Sequence, residues 1–360
     1  MADVANVYKA DSTRYDEMRY NRVGRSGLKF PAVSLGLWQN FGSIDSYENS
    51  RAMCRTAFDL GITQFDLANN YGPVYGSAEE TFGRIMESDF RPYRDEMVIT
   101  SKAGYDMWDG PYGNWGSRKY LMASLDQSLK RMKLDYVDIF YHHRMDPETP
   151  LEETMQALAD IVRSGKALYA GISNYNLEYT KRAVELLKEM HCPFVVNQRR
   201  YSILDRGIEE DGVKPYCKEA GIGIIAFSPL AQGLLSDKYL HGVPEKSRIA
   251  KGSRSLNQTA LTEEKLKKIQ ELNELAQKRG QTLAQMALSW VLKDDEVCSV
   301  LIGASTPGQI RENIGILNQP EFTTEELKLI DDICRSHFPD SFGCSRRSGC
   351  IRGCLAFPKP

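Results

Sequence analysis

The chain has 360 residues, 42% of them hydrophobic, which is enough to bury a large core. A net charge of −2 excludes the general basic surface that holds nucleic acid, and no apolar stretch is long enough to span a membrane. The polar N-terminus, MADVANVYKADSTRYDEM, differs from a signal peptide, so we expect a cytoplasmic protein whose eight cysteines are reduced.

Short apolar segments alternate with amphipathic ones along most of the chain. After a hairpin that turns at Gly27, strands are predicted at residues 33–37, 64–66, 97–102, 135–143, 168–173, 194–198, 222–227 and 297–302. Helices are predicted at residues 46–60, 77–87, 118–132, 151–163, 178–190, 209–219, 263–279, 283–292, 308–317 and 324–337.

This alternation predicts an α/β fold with a parallel sheet, because parallel neighbours need a crossover connection. Eight strand–helix units close a (β/α)8 TIM barrel, and an open doubly wound sheet is the main alternative. We expect an N-terminal extension (residues 1–19), a single barrel with an N-terminal hairpin and extra C-terminal helices (20–337), and a loosely ordered tail (338–360). For Cys344, Cys350 and Cys354 in the tail we expect reduced thiols, with a metal or redox site as the alternative.

Four reactive side chains follow the predicted strands. Asp66, Lys102 and His143 end the second, third and fourth barrel strands, and Tyr71 follows soon after the second. They should meet, because all carboxyl ends of the strands lie at one mouth of a barrel. We expect Lys102, held charged by Asp66, to lower the pKa of Tyr71. Tyr71 could then protonate a carbonyl bound by His143, with hydride supplied by a nicotinamide cofactor.

Two other chemistries are weighed for these residues. Neighbouring strand residues point to opposite faces, so His142 and His143 do not both face one ion, and we expect no metal. Lys102 could instead form a Schiff base, or the barrel could be a phosphate-binding isomerase, both of which work without nicotinamide. Asp66 argues against the Schiff base, because a carboxylate keeps the amine protonated.

Several stretches could hold the phosphates of a dinucleotide. Residues 221–226 (GIGIIA) match the letters of a Rossmann fingerprint, but they open a strand instead of a helix, so we interpret them as a decoy. The turn at residues 228–233 suits a pyrophosphate, and Lys238 and Arg248 follow it in a long loop. Residues 305–307 (STP) open the last barrel helix, whose N-terminus attracts phosphate.

The stretches that carry these residues resemble the aldo-keto reductase superfamily. They span about residues 20–320 in the family's order: FDLANNYG, ITSKAG, DIFYHHR, GISNYN, NQRRYSIL, AFSPLAQGLLSDKY and LIGASTPGQIRENI. The bacterial L-glyceraldehyde 3-phosphate reductase-like branch, which is related to the potassium-channel β subunits, is the most similar at NNYGPVYGSAEE and SKAGYDMWDGPYG.

The resemblance implies roles for individual residues. The family's catalytic tetrad falls on Asp66, Tyr71, Lys102 and His143. Trp38 would line the mouth, and Tyr201 would stack on the nicotinamide ring. The remaining cofactor contacts would be Ser173, Asn174 and Gln198 for the nicotinamide amide, Ser228, Leu230, Gly233 and Lys238 for the pyrophosphate, and Ser305, Gln309, Glu312 and Asn313 for the adenosine end.

Two departures concern the choice of cofactor. Gly303 and Gln309 stand where many family members carry Lys and Arg, which select the 2′-phosphate of NADPH, and Arg248 would compensate. We expect an NADPH-dependent reductase of small aldehydes or ketones, such as glyceraldehyde 3-phosphate or methylglyoxal. The alternative is a redox-sensing regulatory subunit that binds the cofactor and docks a membrane protein. The oligomeric state stays open, although related proteins form symmetric homo-oligomers.

Overall fold

Eight parallel strands close into a barrel in the computed structural model, which describes residues 7–240, 242–243 and 261–335. Each strand pairs with the next along the chain and the last pairs with the first, so the predicted barrel is confirmed over the open sheet. The barrel strands are β3 (Val33–Gly36), β4 (Gln64–Asp66), β5 (Val98–Ala103), β6 (Val137–His142), β7 (Ala167–Ser173), β8 (Phe194–Arg200), β9 (Gly223–Phe227) and β10 (Val297–Ile302). The predicted N-terminal hairpin is formed by β1 (Tyr20–Arg22) and β2 (Lys29–Pro31).

Helices follow the barrel strands in alternation, as the sequence pattern predicts. They are α1 (Tyr47–Asp59), α2 (Ser77–Ile85), α3 (Arg118–Met132), α4 (Leu151–Arg163), α5 (Leu177–Glu189), α6 (Gly207–Glu210), α7 (Val213–Ala220), α8 (Glu263–Lys278), α9 (Leu283–Val291), α10 (Pro307–Ile314) and α11 (Thr324–Arg335). None of the helices in these residues is both long and apolar enough to cross a bilayer.

Side-chain caps fix where several helices begin. An oxygen of each capping side chain accepts a hydrogen bond from the backbone N–H three residues later, at Ser46, Ser117, Asn176 and Thr282. Such a cap satisfies one of the backbone donors that a helix N-terminus leaves unpaired. Because this signal is local in sequence, the predicted starts of α1, α3, α5 and α9 agree with the structure to within one residue.

Three predicted helices are wrong in their extent. The helix predicted at residues 77–87 ends at Ile85 and continues as a π-helical turn. The helix predicted at residues 209–219 is divided into α6 and α7, because Gly212 adopts a left-handed φ of 77° that interrupts the helical path. The helix predicted at residues 308–317 ends at Ile314 and continues as a short 3-10 turn.

The hairpin covers the amino end of the barrel. Val23 and Phe30 are fully buried in the apolar cluster that fills the barrel interior. Asn21 Nδ2 donates a hydrogen bond of 2.9 Å to the carbonyl oxygen of Cys298 in β10. The barrel is therefore closed at this end, and its opposite end, where the strands finish, is the open mouth.

The tail predicted at residues 338–360 and Arg248 lie outside the described residues. The described part of the predicted N-terminal extension packs on the barrel's outer layer, where the Tyr8 hydroxyl donates a hydrogen bond of 2.6 Å to Asp59 at the end of α1.

Gly24 supplies a test of how tightly the hairpin packs against Gly221, at the end of α7. Its φ is 54°, and an added Cβ would lie 2.1 Å from the carbonyl oxygen of Gly221. We expect Gly24→Ala to lower the free energy of unfolding by about 2 kcal/mol, from left-handed strain and overpacking. Gly27→Ala in the same hairpin is the control, because its added Cβ meets nothing within 4 Å. Equal urea unfolding curves for the two variants would contradict this fit.

Candidate active site

The predicted tetrad comes together at the mouth of the barrel. Asp66 is the last residue of β4, Lys102 lies one residue before the end of β5, and His143 directly follows β6. Tyr71 lies in the loop after β4. Lys102 is fully buried and Asp66 is 2% exposed, whereas Tyr71 is half-buried at the surface of the mouth.

Lys102 is the hub of this arrangement. Its Nζ donates hydrogen bonds of 2.6 Å to Asp66 Oδ2 and 2.6 Å to the carbonyl oxygen of Leu67. It donates a longer bond, 3.2 Å, to the Tyr71 hydroxyl oxygen. The ammonium also lies 4.9 Å from the Tyr71 ring centroid and 5.8 Å from that of Tyr141, so aromatic faces add to its stabilisation. Burial lowers the pKa of Lys102, an effect that the Asp66 carboxylate opposes.

Asp66 is held by more than its ion pair. Oδ1 of Asp66 accepts hydrogen bonds from Thr100 Oγ1 at 2.8 Å and from Gln198 Nε2 at 3.0 Å. Thr100 is the register partner of Asp66 across β4 and β5, whereas Gln198 reaches it from β8. The carboxylate is therefore held from two strands. Because it bonds Lys102, it also positions the Lys102 ammonium beside the Tyr71 hydroxyl.

The pKa of Tyr71 shifts in the direction opposite to our expectation. The pKa of Tyr71 is raised well above its ordinary value, chiefly by burial and further by electrostatic interaction with the Asp66 carboxylate and with Tyr105. Lys102 was expected to lower it, but this ammonium is bonded more closely to Asp66 and Leu67. Tyr71 therefore keeps its proton at neutral pH, so it can act as a proton donor.

His143 lies beside Tyr71 as a neutral imidazole. Burial, and then the charge of Lys102, hold the pKa of His143 well below its usual range. Its ring centroid is 6.0 Å from that of Tyr71. His142 faces the other way, where its Nδ1 shares a hydrogen bond of 2.6 Å with the Tyr175 hydroxyl. The two histidines thus point to opposite faces of β6, as the strand pattern predicts.

Aromatic rings border the tetrad on both sides. Trp38 is 41% exposed, and its ring centroid lies 6.3 Å from that of Tyr71. On the far side, the Tyr105 ring meets the His143 ring edge to face at 4.7 Å. Tyr105 was not among the residues predicted from the sequence, although it lies three residues after Lys102, just past the end of a strand.

Three polar residues at the ends of β7 and β8 also meet at the mouth. Ser173 Oγ donates a hydrogen bond of 3.0 Å to the backbone carbonyl oxygen of Gln198, and Asn174 Nδ2 donates one of 3.0 Å to that of His143. Asn174 takes a left-handed φ of 59°, which turns the chain sharply at the strand end. Ser173, Asn174 and Gln198 are therefore brought together with the tetrad.

The turn after β9 has an unusual backbone. Ser228, Ala231, Gln232 and Gly233 all have left-handed φ values, between 48° and 97°. Gln232 Nε2 donates a hydrogen bond of 2.8 Å to Ser228 Oγ across the turn. Leu230 is half-buried in this turn, whereas Lys238 beyond it is exposed. Turns of this kind present backbone N–H groups to one side and suit anions.

The expected adenosine contacts cluster at the start of α10. Thr306 caps the helix by accepting from the Gln309 backbone N–H, and the Gln309 side chain returns to accept from the Ser305 N–H at 2.9 Å. Glu312 is exposed and Asn313 is buried on the same helix. These residues lie at the end of β10, beside the rest of the mouth.

Within residues 7–240, 242–243 and 261–335, no three His, Cys, Asp or Glu side chains are grouped so that they could hold a metal ion. The letters GIGIIA also lack the fingerprint's context, because Gly221 ends α7 and Gly223 begins β9. A helix does not follow these glycines, so they present no helix N-terminus to a phosphate.

Comparison with known proteins decides the family. The model of the Aldo/keto reductase family matches residues 32–335, which include the tetrad and every barrel strand. The chain belongs to the aldo-keto reductase family. The resemblance drawn from the sequence is confirmed, and the protein is an oxidoreductase of a family that reduces aldehydes with nicotinamide cofactors.

Individual relatives of this aldo-keto reductase are similar over most of their length. L-Glyceraldehyde 3-phosphate reductase of Escherichia coli strain K12 is 57% identical over 328 residues, which cover 90% of this chain and 95% of the relative. The protein of the same name from Escherichia coli O157:H7 has the same identity and coverage. Among solved structures, the thermostable aldo-keto reductase Tm1743 in complex with the inhibitor epalrestat is 30% identical, with a TM-score of 0.68 over 88% of this chain and 100% of that chain.

One residue expected to face the cofactor of this aldo-keto reductase does not reach the mouth. Tyr201 is fully buried, its ring lies 5.3 Å from that of Trp290, and its hydroxyl accepts a hydrogen bond of 2.8 Å from Lys293. The reason is strand alternation: Gln198 points into the barrel, so a residue three positions later points outward. The expectation that Tyr201 stacks on the nicotinamide ring is wrong.

Phe227 is an aromatic residue at the mouth of the barrel. It is the last residue of β9, it is half-buried, and it packs against the cluster inside the barrel. An aromatic face therefore does border the mouth, on β9 and not after β8. The signal was available in the sequence, because Phe227 directly precedes the turn at Ser228.

The buried ion pair gives a direct test of this site. Asp66→Asn or Lys102→Met should each lower the free energy of unfolding by about 3–5 kcal/mol, because each leaves the other charge buried and unpaired. The double variant should lose much less than the sum of the two, since no charge then remains. Urea unfolding of the three variants measures this, and additive losses would contradict the pairing.

Proposed function

We propose that this aldo-keto reductase is NADPH-dependent and reduces small aldehydes and ketones, such as glyceraldehyde 3-phosphate or methylglyoxal, to alcohols. The observation that supports this most is the chain of contacts from Asp66 through Lys102 Nζ to the Tyr71 hydroxyl, 2.6 Å and 3.2 Å long. It ends at a protonated phenol beside a neutral imidazole, which is what protonation of a carbonyl oxygen requires. The 57% identical relative, named for reduction of L-glyceraldehyde 3-phosphate, supports the choice of substrate.

The chain's own residues position the carbonyl and move the proton. The carbonyl oxygen lies between the Tyr71 hydroxyl and the His143 imidazole, which donates a hydrogen bond to it as a neutral group. A bound nicotinamide cofactor supplies the hydride that reaches the carbonyl carbon. As negative charge develops on the oxygen, Tyr71 transfers its proton there, because an alkoxide is more basic than a phenolate. The phenolate that forms on Tyr71 is stabilised by Lys102 Nζ, already 3.2 Å away.

The residues at the mouth fit a nicotinamide dinucleotide. Ser173, Asn174 and Gln198 would hold the nicotinamide amide, since they bring hydroxyl and amide groups to one place beside the tetrad. Phe227, in place of Tyr201, would offer its ring to the nicotinamide. The other proposed contacts are Ser228, Leu230, Gly233 and Lys238 for the pyrophosphate and Ser305, Gln309, Glu312 and Asn313 for the adenosine end. Arg248 would join them from outside the described residues.

We also propose that the protein works in the cytoplasm. The cysteines among the described residues are all free thiols: Cys54, Cys192, Cys217, Cys298 and Cys334. Burial raises the pKa of the Cys192 thiol to about 11, so this thiol stays protonated and unreactive. Free, unreactive thiols suit a reducing compartment.

Turnover distinguishes this reductase from a redox-sensing subunit. The purified protein is mixed with NADPH or NADH and a panel of aldehydes that includes glyceraldehyde 3-phosphate and methylglyoxal, and absorbance at the nicotinamide band is followed. The proposal expects rapid oxidation of NADPH. Bound NADPH with almost no turnover on any aldehyde would favour the sensor.

Removing one oxygen atom tests the proton donor. Tyr71→Phe should lower kcat by about 10²–10⁴-fold, because the carbonyl oxygen then lacks its acid, while NADPH affinity stays within about twofold. Tyr75→Phe is the matched control, since Tyr75 lies four residues later and is 48% exposed. The measurements are steady-state NADPH oxidation and fluorescence titration of the cofactor. A Tyr71→Phe enzyme with most of its activity would show that the proton comes from elsewhere.

Gly303 provides a test of cofactor preference. An added Cβ at Gly303 meets nothing within 4 Å, so a side chain fits there without displacing a neighbour. We expect Gly303→Lys to raise the ratio of kcat/KM for NADPH over NADH by about tenfold, because an ammonium can pair with the 2′-phosphate. Gly27→Lys adds the same charge at the closed end of the barrel and should leave the ratio unchanged. An unchanged ratio in Gly303→Lys would place the 2′-phosphate away from β10.

A further inference from the structure

A second phenol, that of Tyr105, packs against the His143 ring of the tetrad. The imidazole neighbours two phenol rings: that of Tyr71, 6.0 Å away by ring centroids, and that of Tyr105, 4.7 Å away and nearly perpendicular to it. The Tyr105 phenol is also close enough to Tyr71 to contribute to the raised pKa of that residue. The mechanism proposed above uses Tyr71 and His143 and leaves Tyr105 without a role.

Arg144 holds the Tyr105 loop in place. Its Nε donates a hydrogen bond of 2.8 Å to the carbonyl oxygen of Gly104, and its Nη2 donates one of 3.0 Å to Asn114 Oδ1. The guanidinium carbon lies 4.2 Å from the centroid of the Tyr105 ring and 3.7 Å from that of Trp115. Arg144, which directly follows His143 in sequence, thus contacts the loop between β5 and α3 near both of its ends. The position of Tyr105 relative to His143 is therefore fixed.

The Tyr105 hydroxyl is available for a ligand. Its side chain is half-buried, and the hydrogen bonds found among the described residues do not involve this hydroxyl. Burial raises the pKa of Tyr105, so the phenol is neutral and able to donate at neutral pH. A hydroxyl that has no hydrogen-bond partner in the protein can contribute binding free energy by bonding a polar group of the substrate.

We propose that Tyr105 is a specificity-determining residue, whose hydroxyl hydrogen-bonds the hydroxyl on the carbon next to the carbonyl of a 2-hydroxyaldehyde. This inference rests on the proposed function, because it places the carbonyl oxygen between Tyr71 and His143. The hydroxyl oxygen on the adjacent carbon is then the next polar atom of the substrate, and Tyr105 is a phenol that packs directly against His143. Arg144 is a positioning residue that acts through Tyr105.

Two substrates that differ by one hydroxyl test the proposal. Wild type and Tyr105→Phe are compared on 2-hydroxypropanal and on propanal, with NADPH in excess. The Phe variant keeps the ring against His143 and Arg144, so only the hydrogen bond is lost. We expect kcat/KM for 2-hydroxypropanal to fall about tenfold and that for propanal to change less than twofold. Tyr112→Phe on the same loop is the control, since Tyr112 is 53% exposed.

The outcomes separate this inference from the proposed function. If wild type reduces neither aldehyde and no other in the panel, the proposed function fails and this inference fails with it. Wild type could instead reduce both aldehydes while Tyr105→Phe lowers kcat/KM equally for the two, or for neither. That result would overturn the hydroxyl contact and leave the proposed reductase function intact. A loss confined to 2-hydroxypropanal supports the contact.

Arg144→Lys tests the positioning role. Lysine keeps the charge but cannot bond Gly104 and Asn114 together in the same way, so the loop should loosen. We expect the ratio of kcat/KM for 2-hydroxypropanal over propanal to fall, as it does in Tyr105→Phe. The double variant should show no further fall, because both changes remove one hydrogen bond. This role would be overturned if the falls in the ratio multiplied in the double variant, or if the ratio were unchanged in Arg144→Lys.

Discussion

The buried ion pair of Lys102 and Asp66 is the constraint on which the active site depends. Placing an ammonium and a carboxylate in a barrel interior costs several kcal/mol for each ion. Their 2.6 Å contact offsets that cost, together with hydrogen bonds from Thr100 and Gln198 to the carboxylate. Because the partners come from β4, β5 and β8, the pair holds together strand ends that are distant in sequence. The direction in which Lys102 points is thus a property of the whole barrel.

The same burial decides how the acid works. A phenol at the rim of an aromatic mouth is poorly hydrated, and the nearby carboxylate further disfavours its ionised form. Tyr71 is therefore not an acid that is half-dissociated near neutral pH. It holds its proton until a stronger base, the reduced carbonyl oxygen, forms beside it. Lys102 stabilises the product of that transfer, and His143 remains neutral because the ammonium and the barrel interior both oppose its protonation.

The sequence was most informative where the signal is local or repeats with a fixed period. The bounds of β4, α3, α4 and β10 were predicted to the residue, since caps and apolar runs mark them. The tetrad was found because parallel strands end at one mouth, and the family resemblance agreed. Tyr201 was misplaced because proximity to Gln198 along the chain was preferred over strand alternation. The location of Tyr105 beside His143 depends on Arg144. The contacts of Arg144 with Gly104 and Asn114 join residues far apart in the chain, so they produce no periodic pattern in the sequence.

The hairpin that closes the amino end of the barrel has an electrostatic consequence. Val23 and Phe30 fill that end, so apolar side chains and not bulk solvent lie beneath the tetrad. Of the groups assigned to the nicotinamide, Gln198 reaches furthest in, to the Asp66 carboxylate, whereas Trp38 and Tyr105 border the rim. A filled apolar interior has a lower dielectric constant than water. The interactions of the Lys102 ammonium with the groups around it are therefore screened less than they would be in an open channel.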